Sequence, residues 1–226
     1  MMKYKFIDNN GTFELNNSDN NSYMYFPLAN DKGMMSSITQ NLHGDIKLEQ
    51  NTFILPPVSS EDLHNTNSSR NFWINIEGKI SWSVTGISAL QKAGKFDKNI
   101  EKSSMVGGLL WHEIRRENEE LGVKARVTSF VPTTEDTVEL NRIIIKNIGR
   151  EKIKFVPTVS VPLYCRSAGD IRDHRHVTSL LNRITIKGNG IFVKPTMCFD
   201  ERGHTINNTS YGVFGVKENG ELPIRF

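Results

Sequence analysis

Polar and apolar positions alternate with period two along much of this chain, and the longest such run extends from Lys124 to Tyr164. It reads as three strands, KARVTSFVP (124–132), VELNRIIIKNI (138–148) and IKFVPTVSVPLY (153–164), separated by TTEDT and GREK. In the third, Ile153, Phe155, Pro157, Val159, Val161 and Leu163 share one face, while Lys154, Thr158 and Ser160 share the other. That is the pattern of a half-buried strand. In the middle strand Val138 and Leu140 point one way and Ile143 and Ile145 the other. This suits a central strand covered on both faces, or one with a bulge between Leu140 and Ile143. The gaps have hairpin length, so the expectation is a three-stranded antiparallel meander.

The same reading extends in both directions. KYKFIDNNGTFELN places two alternating runs around Asn10-Gly11, a strong hairpin signal. From Met34 to Pro57 the text is polar with short apolar pieces, read as loops and edge strands over a core. FWINIEGKISWSVTG is a hairpin: Phe72, Ile74 and Ile76, a turn at Glu77-Gly78-Lys79, then Ile80, Trp82 and Val84. Ala89 to Lys102 reads as a loop or a short helical turn. Leu109 to Leu121 stays open between helix and strand, because Leu110, Ile114 and Leu121 have helical spacing but Gly107-Gly108 offers no N-cap side chain. RITIKGNGIFVKP is a strand–turn–strand unit, and TSYGVFGV is another strand. Many short strands against one helix candidate predict an all-β, antiparallel sandwich.

Composition changes this picture little. The chain has 226 residues, 37% hydrophobic and 23% charged, enough for one large domain covering 1–226. With 28 Lys and Arg against 25 Asp and Glu, the net charge of +3 gives no reason to expect nucleic acid or an acidic membrane as partner. No apolar run reaches membrane-span length and MMKYKFIDNNG is not a signal peptide, so a cytoplasmic location is expected. Cys165 and Cys198 lack both a disulfide framework and metal spacing.

The chemistry candidates gather in CRSAGDIRDHRHVTSLLNR. Arg166, Asp170, Arg172, Asp173, His174, Arg175, His176 and Arg183 form the most densely charged stretch in the chain. Two readings stand. Arginine forks and carboxylates there would clamp a hydroxyl-rich or anionic ligand, or the same groups would pair with one another and tie a loop down. His174 and His176, with His204 and Asp200 at a distance, match no standard zinc spacing, and no metal is expected. Trp73, Trp82 and Trp111 would serve either as stacking platforms for sugar rings or as core and sheet-face packing. No phosphate loop, dinucleotide fingerprint, Gly-x-Ser-x-Gly or HExxH occurs.

One longer stretch carries a resemblance. RENEELGVKARVTSFVPTTEDTVELNRIIIKNIGREKIKFVPTVSV, with Phe130-Val131-Pro132, a short acidic turn and a strand closing on Ile145-Lys146-Asn147, resembles the N-terminal domain of the cellobiose phosphorylase family of inverting glycoside phosphorylases. SSRNFWINIEGKISWSVTG is similar to that family's aromatic strand, Gly turn and Trp-Ser. SSITQNLHGDIKL and RDHRHVTSLLNRI look like a bacterial branch acting on β-glucans. The resemblance implies a galactose-mutarotase-like β-supersandwich, with Leu109 to Leu121 as strand and turn. In such enzymes a helical linker and an (α/α)6 barrel follow, and the barrel carries the acid and the phosphate site. The barrel is missing from this sequence, so the chain is expected to be a non-catalytic domain, truncated or separately encoded, and inactive alone. The parent reaction would use inorganic phosphate as co-substrate and no cofactor. The implied partners are a β-glucan oligosaccharide, the helical catalytic domain and a second copy in a homodimer. The substrate-facing residues would be the Arg166 to His176 loop with Trp73 and Trp82. A stand-alone carbohydrate-binding module is the alternative.

Overall fold

The computed structural model describes residues 4–21, 24–49, 52–59, 69–95, 97, 101–170, 179–200 and 203–221. The chain opens with a hairpin, β1 (Tyr4–Phe6) and β2 (Phe13–Asn16). A carboxylate oxygen of Asp8 organises its loop, accepting the backbone N–H groups of Asn10 at 2.8 Å and Thr12 at 3.0 Å. Next come β3 (Tyr25–Ala29), β4 (Met35–Thr39), β5 (Ile46–Glu49) and β6 (Thr52–Phe53). These four pair in chain order as an antiparallel sheet. The segment expected to be loops and edge strands is therefore a full layer, and Ile38, Leu42, Ile46 and Leu55 lie in the core.

The hairpin of β7 (Asn71–Ile76) and β8 (Ser81–Ser83) forms as its alternation predicts. A five-residue helix, α1 (Ala89–Ala93), follows. Ser88 and Gln91 close its first turn with a reciprocal capping box, which satisfies N–H groups the short helix would otherwise leave bare. The chain then runs through β9 (Lys102–Gly108), β10 (Trp111–Asn118), β11 (Val123–Phe130) and β12 (Leu140–Asn147). With β1 and β2 on the β9 side they make a six-stranded antiparallel sheet in the order β1-β2-β9-β10-β11-β12. Leu109 to Leu121 is thus strand and turn. Leu110 stands in the left-handed region at φ 59° in the tight connection before β10, which breaks the helical register its spacing suggested.

Two expectations about the meander are corrected. β12 is an edge strand, not a central one, and its pairing with β11 runs in unbroken register from Leu140 opposite Phe130 to Asn147 opposite Val123, without a bulge. The third strand, β13 (Phe155–Ser160), does not pair with β12 at all. It crosses to β7, with Phe155 opposite Ile76 and Ser160 opposite Asn71. The chain leaves the large sheet at Gly149, where Ile148 and Gly149 both donate to the Gly122 carbonyl. Only the flanking Ile153 and Val161 pack against the core, and all six residues of β13 are exposed, against the half-buried pattern expected.

The remainder is β14 (Asn182–Lys187), β15 (Gly190–Pro195), the hairpin β16 (Met197–Asp200) and β17 (Gly203–Ile206), and β18 (Tyr211–Phe214). β14, β15 and β18 form a three-stranded sheet. The described residues are 49% strand, with one α-helix, so the fold is all-β and antiparallel. Three sheets share the main core. Leu15, Met105, Ile114 and Val127 come from the six-stranded sheet, Phe26, Leu28 and Ile38 from the four-stranded one, and Ile74 and Trp82 from β7 and β8. The Phe26 ring stacks on Phe13 and His112 at centroid distances of 6.0 and 4.9 Å, joining the first two sheets face to face. No helix among the described residues is long and apolar enough to cross a membrane.

Candidate functional site

Of the charged loop, Arg166 and Asp170 are described; Arg172, Asp173, His174, Arg175 and His176 lie outside the described residues. Arg166 and Asp170 are each 1% exposed. Arg166 is a joint. Its backbone bridges Phe53 in β6, and its guanidinium donates to the Asn182 side chain at 3.0 Å and to the Met197 carbonyl. The Asp170 carboxylate accepts from the Ser167 hydroxyl at 2.7 Å and from the Ser167 N–H at 3.2 Å. The Arg166 backbone ties this turn to β6 and its side chain ties it to Asn182 and Met197, Asp170 bonds back to Ser167, and neither side chain presents surface to a ligand.

The tryptophans separate in the same way. Trp82 is 1% exposed and its indole N–H donates to Glu101 at 2.9 Å, so it offers no stacking face. That corrects its candidacy as a sugar platform: a large ring at an inward position of a short hairpin strand packs into the core. Trp73 is half-buried on the opposite face of the three-stranded sheet, beside Thr158 and Ser83 in register. Trp111 is half-buried at the start of β10, where its indole covers Gly108 so closely that a β-carbon there would collide with the ring.

The strongest electrostatic features escaped the sequence reading. Arg116 is almost wholly buried and bound by two carboxylates, Glu101 at 2.6 Å and Asp19. Burial alone would lower its pKa, but the Asp19 and Glu101 charges win and hold it raised. Glu101 also accepts from the Gln91 amide, so the pair reaches the helix cap. Gly86, at φ 82°, passes directly over the Arg116 guanidinium, and a side chain there would strike it.

A second network ties Arg70 to Glu139. Their side chains are each 2% exposed and meet at 2.6 and 2.7 Å through two nitrogens of the Arg70 fork. The fork also donates to the Ser36 hydroxyl and to the Leu42 and Asp45 carbonyls, while Asn141 donates to Glu139. Such bidentate, fully bonded geometry is what lets two charges be buried. His112 lies near this network, fully buried, and neither ring nitrogen meets a protein donor or acceptor. Burial, then the Arg70 charge, pushes its pKa down to about 3, so it is neutral.

The outward face of the six-stranded sheet is different. Because β10 is a strand, Trp111, Glu113, Arg115 and Glu117 point outward while His112, Ile114, Arg116 and Asn118 point in. Arg115 stands directly opposite Arg126, and Lys124 opposite Lys146. With Ile144 these four line an open groove of about 450 Å³. Arg115 is anchored by Glu113 at 2.6 Å and Glu14 at 3.1 Å, and Lys124 by Glu117 at 2.9 Å. Burial would raise Glu113, but hydrogen bonds from Arg115 and Thr128 and the charges of Arg115 and Arg126 hold it below the usual carboxylate range. The Lys124 hydrogen bond does the same for Glu117. The signal was present in the alternation, but only once Leu109 to Leu121 is taken as a strand.

No group of three or more His, Cys, Asp or Glu side chains capable of holding a metal occurs among the described residues. No protein-family model matches the chain, and no curated protein matches it.

Proposed function

We propose that this chain is the non-catalytic N-terminal domain of an inverting glycoside phosphorylase acting on β-glucan oligosaccharides, with a galactose-mutarotase-like supersandwich as its finer architecture. The observation that carries the non-catalytic part is the way its buried charges are used. Arg70, Glu139, Arg116, Glu101 and Asp19 are committed to internal pairs, while apolar strand surface lies open along β13 and β14. A domain so built supports another surface and performs no acid–base chemistry of its own. The family part rests on the likeness of residues 116–161 and on the strand-and-turn form of Leu109 to Leu121, which that likeness implied against the helical spacing. In this reading a helical barrel carries the acid and binds phosphate. This domain packs beside it in a homodimer.

The test has two arms. Purified chain incubated with cello- and laminari-oligosaccharides and inorganic phosphate should release no glucose 1-phosphate; release above a blank overturns the non-catalytic reading. The coding sequence immediately downstream should encode a helical barrel, in frame or separately, whose co-expressed product binds this chain and turns over the glucan. A downstream region without one removes the phosphorylase assignment.

A further inference from the structure

The outward groove on the six-stranded sheet arranges charge in a way the rest of the molecule does not. Like charges directly opposite one another across a strand pair destabilise a sheet. Here two such pairs sit side by side, Arg115 with Arg126 and Lys124 with Lys146, at solvent-facing positions where packing imposes no residue type. Their neutralisation is uneven. Arg115 and Lys124 are held by Glu113, Glu14 and Glu117, whereas Arg126 and Lys146 have no carboxylate within ion-pair distance among the described residues. The lining contains no acidic side chain, and Ile144 together with the aliphatic stems of the basic residues makes up most of its surface. Two cations are therefore fixed in place and two are left to close on a guest. That arrangement leaves an anion as the missing partner.

We infer that this groove is a binding site for the phosphoryl group of a small molecule. The volume, about 450 Å³, falls in the range of small-ligand sites, about 300–1,000 Å³. The Arg126 guanidinium fork matches the several oxygens of a phosphoryl group, and the Lys146 ammonium adds point charge beside it, while Arg115 and Lys124 remain engaged by their carboxylates. A monocarboxylate would engage the Arg126 fork and leave Lys146 unneutralised. The existence of this site does not depend on the phosphorylase reading.

The experiment is a calorimetric titration of the full chain with inorganic phosphate and with pyrophosphate at low ionic strength, alongside a hexaglutamate peptide. The site requires saturable phosphate or pyrophosphate binding. The double variant Arg126→Ala/Lys146→Ala should weaken it at least ten-fold, and Arg142→Ala, an exposed cation one register step away on β12, should change it less than two-fold. Both substitutions in the double variant are at exposed positions, and unchanged circular dichroism verifies the fold. Absence of binding by the native chain overturns the inference, as does equal weakening by Arg142→Ala. Saturable binding of hexaglutamate with none of pyrophosphate also overturns it, in favour of an acidic protein partner.

Discussion

Residues 4–161 and 163–221 are made of the same kind of short alternating strand, yet they bury their apolar faces to very different degrees. In the first region three sheets cover one another, and a continuous cluster runs from Leu15 to Val131. In the second, the buried apolar residues among those described are Cys165, Val193 and Tyr211, while Ile184 is 67% and Ile186 60% exposed. A strand's apolar face gains its stabilisation from a second layer, at roughly 25 cal/mol per Å² covered. The first region supplies that layer from its own chain. In the second, the described residues place no layer over β14, and its attachment to the main body includes the backbone bridge of Arg166 to Phe53 and the packing of Ile54 on its small cluster.

Four measurements would break or sharpen that contrast. The largest effect is expected from Glu139→Ala, which leaves the Arg70 guanidinium buried without its partner. The loss should be about 3–5 kcal/mol by urea unfolding, and a loss below about 1 kcal/mol would show that the pair is not the anchor of the first region. Next, Leu28→Ala, at a position 1% exposed, should cost about 2–5 kcal/mol as methyl groups leave a packed core. A result near zero would mean that the main core relaxes freely, and the contrast would fail from that side.

The third concerns His112. Its pKa falls from 6.5 in the unfolded chain to about 3 when folded. The unfolded state thus takes up a proton over that interval while the folded state does not. Stability is complete above pH 6.5 and declines as pH drops toward 3, by about 1.4 kcal/mol per pH unit. Glu113 and Glu117 are also held low, but their contributions fade only below their unfolded value of 4.5. Asp45, which burial raises above the ordinary carboxylate value, acts in the opposite sense, so the share of His112 is the difference in slope between the native chain and a His112 variant from pH 6 to 5. His112→Phe, which keeps a ring against Phe26, should flatten the slope in that window; an unchanged slope would assign it elsewhere. The smallest effect belongs to the second region. Ile184→Ser should change the stability of the isolated chain by no more than about 0.5 kcal/mol. A cost above 2 kcal/mol would mean that β14 is covered in solution, and the two regions would then be alike.

Much of the candidate chemistry was placed by sequence but not given its setting by it. Arg166, Asp170 and Trp82 were all singled out, and each is buried in a structural role. An Arg or Trp in a strand carries the same letter whether its neighbours enclose it or leave it open. Arg70, Glu139 and Arg116 were passed over for the matching reason. They stand in ordinary polar contexts, and Arg70 lies 69 positions from the carboxylate that makes its burial tolerable.

The sequence by itself determined that the chain is all-β, where most strands and hairpin turns fall, and that the period-two alternation of Val123 to Phe130 has an inner and an outer face. Those properties are local: side-chain direction alternates along any extended backbone, and Gly and Asn mark the turns whatever the strands later pair with. Only the tertiary structure decided that β13 joins β7 rather than β12, that β12 is an edge, and that Leu109 to Leu121 is a strand whose Arg115 and Arg116 face opposite environments. Strand pairing and charge burial are settled between segments far apart in the chain. A short connection such as Gly149 to Lys152 permits a hairpin without requiring one, and the edge of β7 and the shared core supplied the alternative.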